Sequence, residues 1–364
     1  MLVMRLSALG DIAMTVPALY PVCRANPDVR FVMLTQPWPA TMMIEAPENL
    51  VIETVDVRGD RMGFWAMWRL AGRLHEKYNF THVADLHSVI RTWAVDLRLR
   101  LAGCRVARID KGHAEKRDRI RGRRHDQLKT TVERYREVLC SVLPPRPLLK
   151  EGEQGPDTTF HPLLQEGEGG GQGDGGGLAS SPIVPEKAAG ERWIAVAPFS
   201  QHRGKEYPLK SMEQVIDRLA AIPGVHIFLL GGGKQEKLAL RPIAHRLKNA
   251  TSLAEVKHTL ADELQLMARC DVMVSMDSAN MHLASLVGLT VVSVWGATHP
   301  HCGFMGYGQS NDNAVQRDDL DCRPCGVYGE NKCRYGDYRC LDIDPQRIVD
   351  RVTEVLAASP PPPK

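Results

Sequence analysis

Met4-Arg5-Leu6-Ser7-Ala8-Leu9-Gly10-Asp11 and Met273-Val274-Ser275-Met276-Asp277-Ser278-Ala279-Asn280-Met281-His282 are the two stretches whose reading decides the fold. Each reads as an apolar strand, a tight polar turn with an acidic residue, and the start of a helix. An α/β sheet offers a ligand site at that place, beyond the carboxyl ends of its strands. One such turn in each half of the chain predicts two domains that each supply a wall of a cleft.

The rhythm continues outward from both stretches. In the first half, strands are expected over Leu2 to Leu6, Val29 to Thr35, Val51 to Val57, His82 to Leu86 and Arg105 to Ile109. Amphipathic segments lie between them, among them Arg61 to Lys77 and Ile90 to Leu101, and Lys129 to Leu143 has helical spacing. In the second half, strands are expected at Trp193 to Ala197, Val225 to Leu230, Val272 to Ser275 and Thr290 to Trp295. Helices follow at Lys210 to Ala221, Lys234 to Leu247, Ala261 to Ala268, Ala279 to Leu286 and Pro345 to Ala357. Alternation of this kind favours parallel sheets covered by helices. Between the halves, Gly167 to Gly177 is nearly all glycine, with too few apolar residues to offset the entropy of ordering. The expected domains are 1–149, a Gly-rich flexible linker 150–190, 191–344, and a last helix with a Pro-rich tail over 345–364.

The chain has 364 residues, 43% of them hydrophobic and 24% charged, with a net charge of +3. That describes an ordinary soluble protein large enough for two cores. No apolar run approaches the ~20 residues of a membrane-spanning helix. Met1-Leu2-Val3-Met4 runs straight into Arg5 with no signal-peptide pattern, so the cytoplasm is the expected location. The stretch from Arg105 to Lys129 is rich in arginine and lysine. Such a stretch meets an anionic substrate or membrane surface, or is a solvated face. It lacks interleaved aromatic residues, so no nucleic-acid partner is expected.

Three constellations carry candidate chemistry. In the first, Gly10 permits a sharp turn close to a ligand, and Asp11 stands near a helix N-terminus, which favours a carboxylate. A carboxylate at a cleft wall can take a proton from an attacking hydroxyl. The plainer reading of the spacing is an aspartate that caps the helix. In the second, Ser200-Gln201-His202-Arg203-Gly204-Lys205 follows a strand and suits a diphosphate, with Lys205 as a point charge on the leaving phosphate; a solvated basic loop is the alternative. The Asp277-Ser278-Ala279-Asn280 turn opens a helix whose free N–H groups suit an anion. Asp277 beside a diphosphate is repulsive, so it orients a sugar hydroxyl or caps the helix, and His282 reads as a core histidine. Gly231-Gly232-Gly233 repeats the strand–glycine–helix pattern in a weaker form. The third is Cys322-x2-Cys325-x7-Cys333-x6-Cys340, partial spacing for a metal site. A locally packed thiol-rich loop is favoured over a metal there.

Taken together these residues resemble the ADP-heptose:lipopolysaccharide heptosyltransferases, glycosyltransferase family nine. The family opens on R-x-S-A-[LI]-G-D, here Arg5 to Asp11. It carries D-[ST]-G-x-x-H-x-A downstream, here Asp277 to Ala284, and then F/Y/W-G-x-T-x-P, here Trp295 to Pro300. A late cysteine cluster ending Cys340-Leu341-Asp342-Ile343 is similar as well. The resemblance implies a GT-B fold, two Rossmann-like domains with parallel sheets facing across a cleft, the last helix returning to the first domain. It implies inverting transfer of a heptose from an ADP-linked sugar to an anionic glycolipid of the lipopolysaccharide inner core, without metal or cofactor. Asp11 matches the general base and Lys205 the phosphate-binding lysine. Ser200, Gln201, Glu236, His258, Asp277, Ser278, Ala279 and His282 fall at donor positions. Arg5, Ser7, Gly10, Arg91 and Arg119 are expected on the acceptor side. Ala279 stands where the family commonly has glycine, and Gln201 replaces a hydroxyl. The basic stretch is expected to meet the acceptor or the inner face of a membrane. Two rivals keep the architecture: a nucleotide-sugar epimerase, which makes product without acceptor, and a non-catalytic binding module, which leaves the donor intact.

Overall fold

The computed structural model describes residues 1–57, 63–143, 163 and 181–358. These divide into two compact units. Residues 1–113 and 129–143 form the first; 114–128, 163 and 181–358 form the second. The Gly-rich stretch 167–177 and the prolines of the tail lie outside the described residues.

The first unit is a five-stranded parallel sheet. Along the chain it runs β1 (Leu2–Met4), α1 (Leu9–Ala13), α2 (Val16–Ala25), β2 (Phe31–Thr35), α3 (Pro37–Ala40), β3 (Leu50–Thr54), α4 (Phe64–Tyr78), β4 (His82–Asp85), α5 (Ile90–Leu101) and β5 (Arg105–Arg108). Helix α6 (His113–Ile120) carries the chain into the second unit, and α7 (Thr131–Val142) belongs again to the first. The strand order is β3-β2-β1-β4-β5. β1 is the central strand, pairing Leu2 with Val32 on one side and Met4 with Asp85 on the other. It is wholly buried, as β2 is, which is why both read as continuous apolar runs rather than alternating ones.

The second unit is a six-stranded parallel sheet. It runs β6 (Arg192–Ala197), α8 (Leu209–Ala220), β7 (Val225–Leu229), α9 (Lys234–Arg246), β8 (Ala250–Ser252), α10 (Leu260–Arg269), β9 (Val272–Met276), α11 (Ala279–Leu286), β10 (Val291–Trp295), β11 (Ala314–Gln316) and α12 (Pro345–Ala358). The strand order is β11-β10-β9-β6-β7-β8. α8 shows how the pattern becomes packing: Met212, Val215, Ile216 and Leu219, at helical spacing, are its buried residues. They share a core with Ile194, Val196, Val274 and Val294 of the sheet.

Two expectations need correction. The last helix does not place its apolar face on the first unit: Ile348, Val349 and Val352 complete the second unit's core, and α12 packs on α8, β9 and β10. And the larger part of the basic stretch, 114–128, belongs to the second unit, with Lys116 and Arg119 buried there.

Candidate functional site

Both sheets reverse their winding at the centre, between β1 and β4 in the first and between β6 and β9 in the second. A crevice opens beyond the strand ends at such a reversal, because the two crossover helices leave on opposite faces. Arg5, Ser7, Gly10 and Asp11 follow β1 at the first of these places, and Ser200, Lys205, Asp277 and Ser278 follow β6 and β9 at the second.

In the first unit, the turn after β1 meets the turn after β4. Ser7 Oγ lies 3.2 Å from His87 Nε2. Arg5 is buried, donates from Nη1 to the Leu86 carbonyl at 2.7 Å, and forms an ion pair with Asp11. The Ala8 N–H donates to Asp11 Oδ2 at 3.3 Å, so Asp11 does cap the first turn of α1. Both contacts use Oδ2, which leaves Oδ1 to accept a proton. Beneath them Asp85 is fully buried and accepts from the N–H groups of His87 and Ser88 and from Thr92 Oγ1, at 2.8–2.9 Å. This fixes the His87 turn from below. Burial, reinforced by Arg5 and Lys111, drives the His87 pKa down to about 3, so the ring is neutral. Burial and Arg5 also lower the Lys111 ammonium, whose Nζ reaches the Ser88 carbonyl at 3.3 Å. The turn thus sets Arg5 and Lys111 against the carboxylates of Asp11 and, beneath it, Asp85, with a neutral imidazole among them. Arg91 is exposed and donates to the Val57 carbonyl at 3.0 Å. Arg119 is not part of this cluster: it lies in the second unit, 3.3 Å from His301 Nδ1.

In the second unit, the loop after β6 meets the turn after β9. Lys205 Nζ stands 2.8 Å from Asp277 Oδ2, and Thr298 Oγ1 donates to the same oxygen at 2.7 Å. The expected repulsion between Asp277 and an anion is thus answered by Lys205 itself. Three glycines make the approach possible. A Cβ on Gly204 would stand 2.9 Å from both the Ala297 Cβ and the Gly329 carbonyl oxygen. One on Gly329 would meet the Lys205 side chain at 2.6 Å, and one on Gly296 would meet Leu341 at 2.5 Å. Ser278 caps α11 without a side-chain bond to the helix, its Oγ lying 3.2 Å from that of Ser275. Ala279 and Asn280 are half-buried beside it, Ser200 is half-buried and Gln201 exposed, and His282 is buried as the core reading had it. His299 and His301, after β10, are neutral: burial lowers both, His299 to about 3.

The outer donor positions are more constrained than the resemblance implies. Glu236 Oε2 accepts from the N–H groups of Gly232 (2.7 Å) and Gly233 (3.2 Å), so it caps α9. His258 is held at both ring nitrogens, by the Val256 carbonyl and by Glu263, each at 2.7 Å. The Glu263 bond raises its pKa against the effect of burial. Beside this rim an open cavity of ≈ 510 Å³ is lined by Gly232, Lys234, Lys237, Leu238, Arg241 and Glu255.

The four late cysteines are free thiols. Among the described residues no group of three or more His, Cys, Asp or Glu side chains is placed to hold a metal ion. Cys340 packs with Ala297 and Leu341, Cys325 lies against them, and burial pushes the Cys340 thiol up to about 11. From the same loop Arg323 donates to the carbonyls of Gly296 (2.7 Å), Arg317 and Thr298 (2.8 Å each) and to Gln316 Oε1 (2.8 Å). It braces the Gly296–Thr298 turn that carries the Asp277 partner. Sequence reasoning missed Asp85, His87, Lys111 and Arg323. Asp85-Leu86-His87-Ser88 did carry a signal, a polar cluster at a strand end; what the sequence withheld was that β4 neighbours β1.

Comparisons with known proteins bear on this geometry. Residues 172–335, the segment holding Lys205, Asp277 and Thr298, match the family model of glycosyltransferase family 9 (heptosyltransferase). A lipooligosaccharide heptosyltransferase 2 of Campylobacter jejuni is 26% identical over 142 residues, 36% of this chain and 41% of its own length. The chain thus spans about two fifths of the curated relative it matches. Among solved structures, the E. coli heptosyltransferase WaaC with ADP has a TM-score of 0.63 at 19% identity, covering 97% of this chain and 99% of its own. A family 9 glycosyl transferase from Veillonella parvula has a TM-score of 0.69 at 15% identity, covering 98% and 97%. The E. coli ADP-heptose heptosyltransferase II has 0.64 at 18%, covering 98% of each chain. These likenesses establish the α/β fold with two parallel sheets, of the GT-B class. Residues 172–335 are thus similar in sequence to the glycosyltransferase family 9 (heptosyltransferase) model, and the fold is similar to that of solved heptosyltransferases along nearly the whole chain.

Proposed function

We propose that the protein transfers a heptose from an ADP-linked donor to an anionic glycolipid of the lipopolysaccharide core, with inversion and without metal. The observation that carries this reading is the Lys205–Asp277 pair at the sheet reversal of the second unit, inside the segment that matches the family model. Support for the donor comes from relatives: two of the similar E. coli structures hold ADP and an ADP-2-deoxy-2-fluoro heptose.

In this reading the second unit handles the donor. Lys205 shifts from Asp277 towards the departing diphosphate, and the N–H groups of α11 near Ser278 and Ala279 take the remaining charge. Asp277, tethered by Thr298, then accepts from a sugar hydroxyl. The first unit handles the acceptor. Asp11 takes the proton from the attacking hydroxyl through Oδ1, while Arg5 fixes the carboxylate and Ser7 and Lys111 bind acceptor oxygens. The Lys111 ammonium beside this turn suits an acceptor carrying carboxylate or phosphate. Negative charge departs from the donor carbon on the face opposite attack, so the anomeric configuration inverts.

The test supplies ADP-heptose and a heptose-free core glycolipid and follows product by mass spectrometry. Asp11→Asn is expected to lower turnover by about 100-fold or more, the scale of general-base catalysis, with ADP affinity unchanged. Loss of ADP binding in that variant would remove Asp11 from the base role. Heptose release without acceptor, or an intact donor whatever acceptor is offered, would defeat the transferase reading itself.

A further inference from the structure

Helix α5 is amphipathic in the wrong sense for a helix that serves only to cover a sheet. Ile90, Trp93, Leu97 and Leu101 follow one another at three, four and four residues, the spacing of a single helical stripe. They point outward, at 71%, 44%, 46% and 69% exposure. The buried side instead carries Thr92 and Asp96 beside Ala94, Val95 and Leu99. Those two polar groups have partners inside, Thr92 on Asp85 at 2.8 Å and Asp96 Oδ2 on Arg108 at 2.5 Å. The outward stripe is therefore not a by-product of a helix short of polar residues.

Arginines flank the stripe on both sides. At 100° per residue, Arg98 and Arg100 stand about 80° to either side of it. The guanidinium of Arg108 lies 5.5 Å over the Trp93 ring. Beyond Arg98 the surface continues onto α4: that guanidinium lies 5.8 Å over the Trp68 ring, and Trp65, 70% exposed, lies 6.3 Å from Trp68. The only acidic residue of α5 is Asp96, which is buried.

We infer that α5 and the adjoining tryptophans of α4 form the surface by which the protein seats on an anionic lipid bilayer. Tryptophan prefers the boundary between headgroup and acyl chain, aliphatic side chains enter just below it, and arginines pair with lipid phosphates above. The rim selects this occupant over a second copy of the chain, which would set arginine against arginine. The helix lies in the membrane surface and does not cross it; no helix among the described residues is long and apolar enough to cross. This goes beyond the proposed activity, because binding needs neither donor nor acceptor.

The test is flotation with vesicles of phosphatidylglycerol and phosphatidylcholine, free of glycolipid, against phosphatidylcholine alone. The full chain is expected to float with the anionic vesicles and not with the neutral ones. Leu97→Glu with Leu101→Glu is expected to abolish flotation, and Arg98→Gln and Arg100→Gln each to lower binding about fivefold. Leu97, Arg100 and Leu101 are exposed and Arg98 is half-buried, and circular dichroism with melting temperature checks that each variant is folded. Absence of flotation by the parent chain, or flotation equal in the Glu variants, overturns the inference. A parent dimer that the Glu variants convert to monomer also overturns it, and puts a second copy on the stripe. Because the vesicles hold no acceptor, these results stand whether or not heptose is transferred.

Discussion

Lys205 and Asp277 form an ion pair that water hardly reaches, and its worth differs from the cost of breaking it. Removing one partner strands the other charge in the interior, at about 3–5 kcal/mol, whereas replacing both by apolar groups is often nearly neutral. Asp277 also holds Thr298, so it is the partner with more to lose. Lys205→Met is accordingly expected to lower thermal stability sharply, and Lys205→Met with Asp277→Leu to recover most of the loss. Melting temperatures of the two single variants and the double give the coupling; additive losses would mean that the pair is not coupled in the folded chain. The sequence made Lys205 and Asp277 legible as separate candidates, each at a strand end. Their pairing was not legible, because it depends on β6 lying beside β9, a neighbour relation that crosses two intervening strands. Glu236 and His258 show the reverse problem. Both were placed by resemblance near a nucleotide, and both spend their polar atoms on local bonds of the kind that short-range spacing describes better.

At the scale of elements, the strands and helices were mostly legible because fully buried parallel strands read as apolar runs. The two edge strands, β8 and β11, escaped: each is three residues long and includes polar side chains that face solvent or loops. α12 was found as a helix but given the wrong neighbour, since an amphipathic pattern tells which face is buried and not what covers it. Ile348 is wholly buried in the second unit's core. Ile348→Ala is expected to cost about 2–5 kcal/mol, read as a lower denaturant midpoint for the second unit. A midpoint unchanged from the parent would place the helix elsewhere in solution. The glycines at 204, 296 and 329 were visible in sequence only as punctuation. Their reason is spatial: three loops converge where no Cβ fits.

For the whole molecule, both units respond to acid in the same direction. His87 in the first and His299 in the second have pKa values near 3, well below the ordinary 6.5, because burial disfavours the charged ring. Unfolding returns each to the ordinary value, so the unfolded chain binds protons that the folded chain refuses. Their contribution is complete above about pH 6.5 and is lost as pH falls from there towards 3. His258 opposes them: its raised pKa gives a contribution present below about 6.5 and lost as pH rises through the higher value. With His87, His299 and His301 lowered against the raised His258, melting temperature should decline between pH 6.5 and 4. The decline should be shallower in a chain carrying His87→Gln and His299→Gln; an unaltered slope would assign the acid sensitivity to other groups.

The division of the chain between the two units also sets an order of events during synthesis. Residues 114–128 leave the ribosome before most of the unit they belong to. The Leu128 N–H pairs with the His301 carbonyl at 3.0 Å, and that acceptor is encoded far downstream. At roughly 5–20 residues per second, the segment waits about 10–35 seconds for it. Meanwhile α7, made directly after the segment, already has the first unit's core to join. The nascent chain therefore carries a basic segment, α6 and the loop after it, tethered at both ends to the first unit, that stays unclaimed until synthesis is well advanced. Growth of the second unit around a waiting piece, rather than docking of two finished halves, is the assembly route that this connectivity dictates.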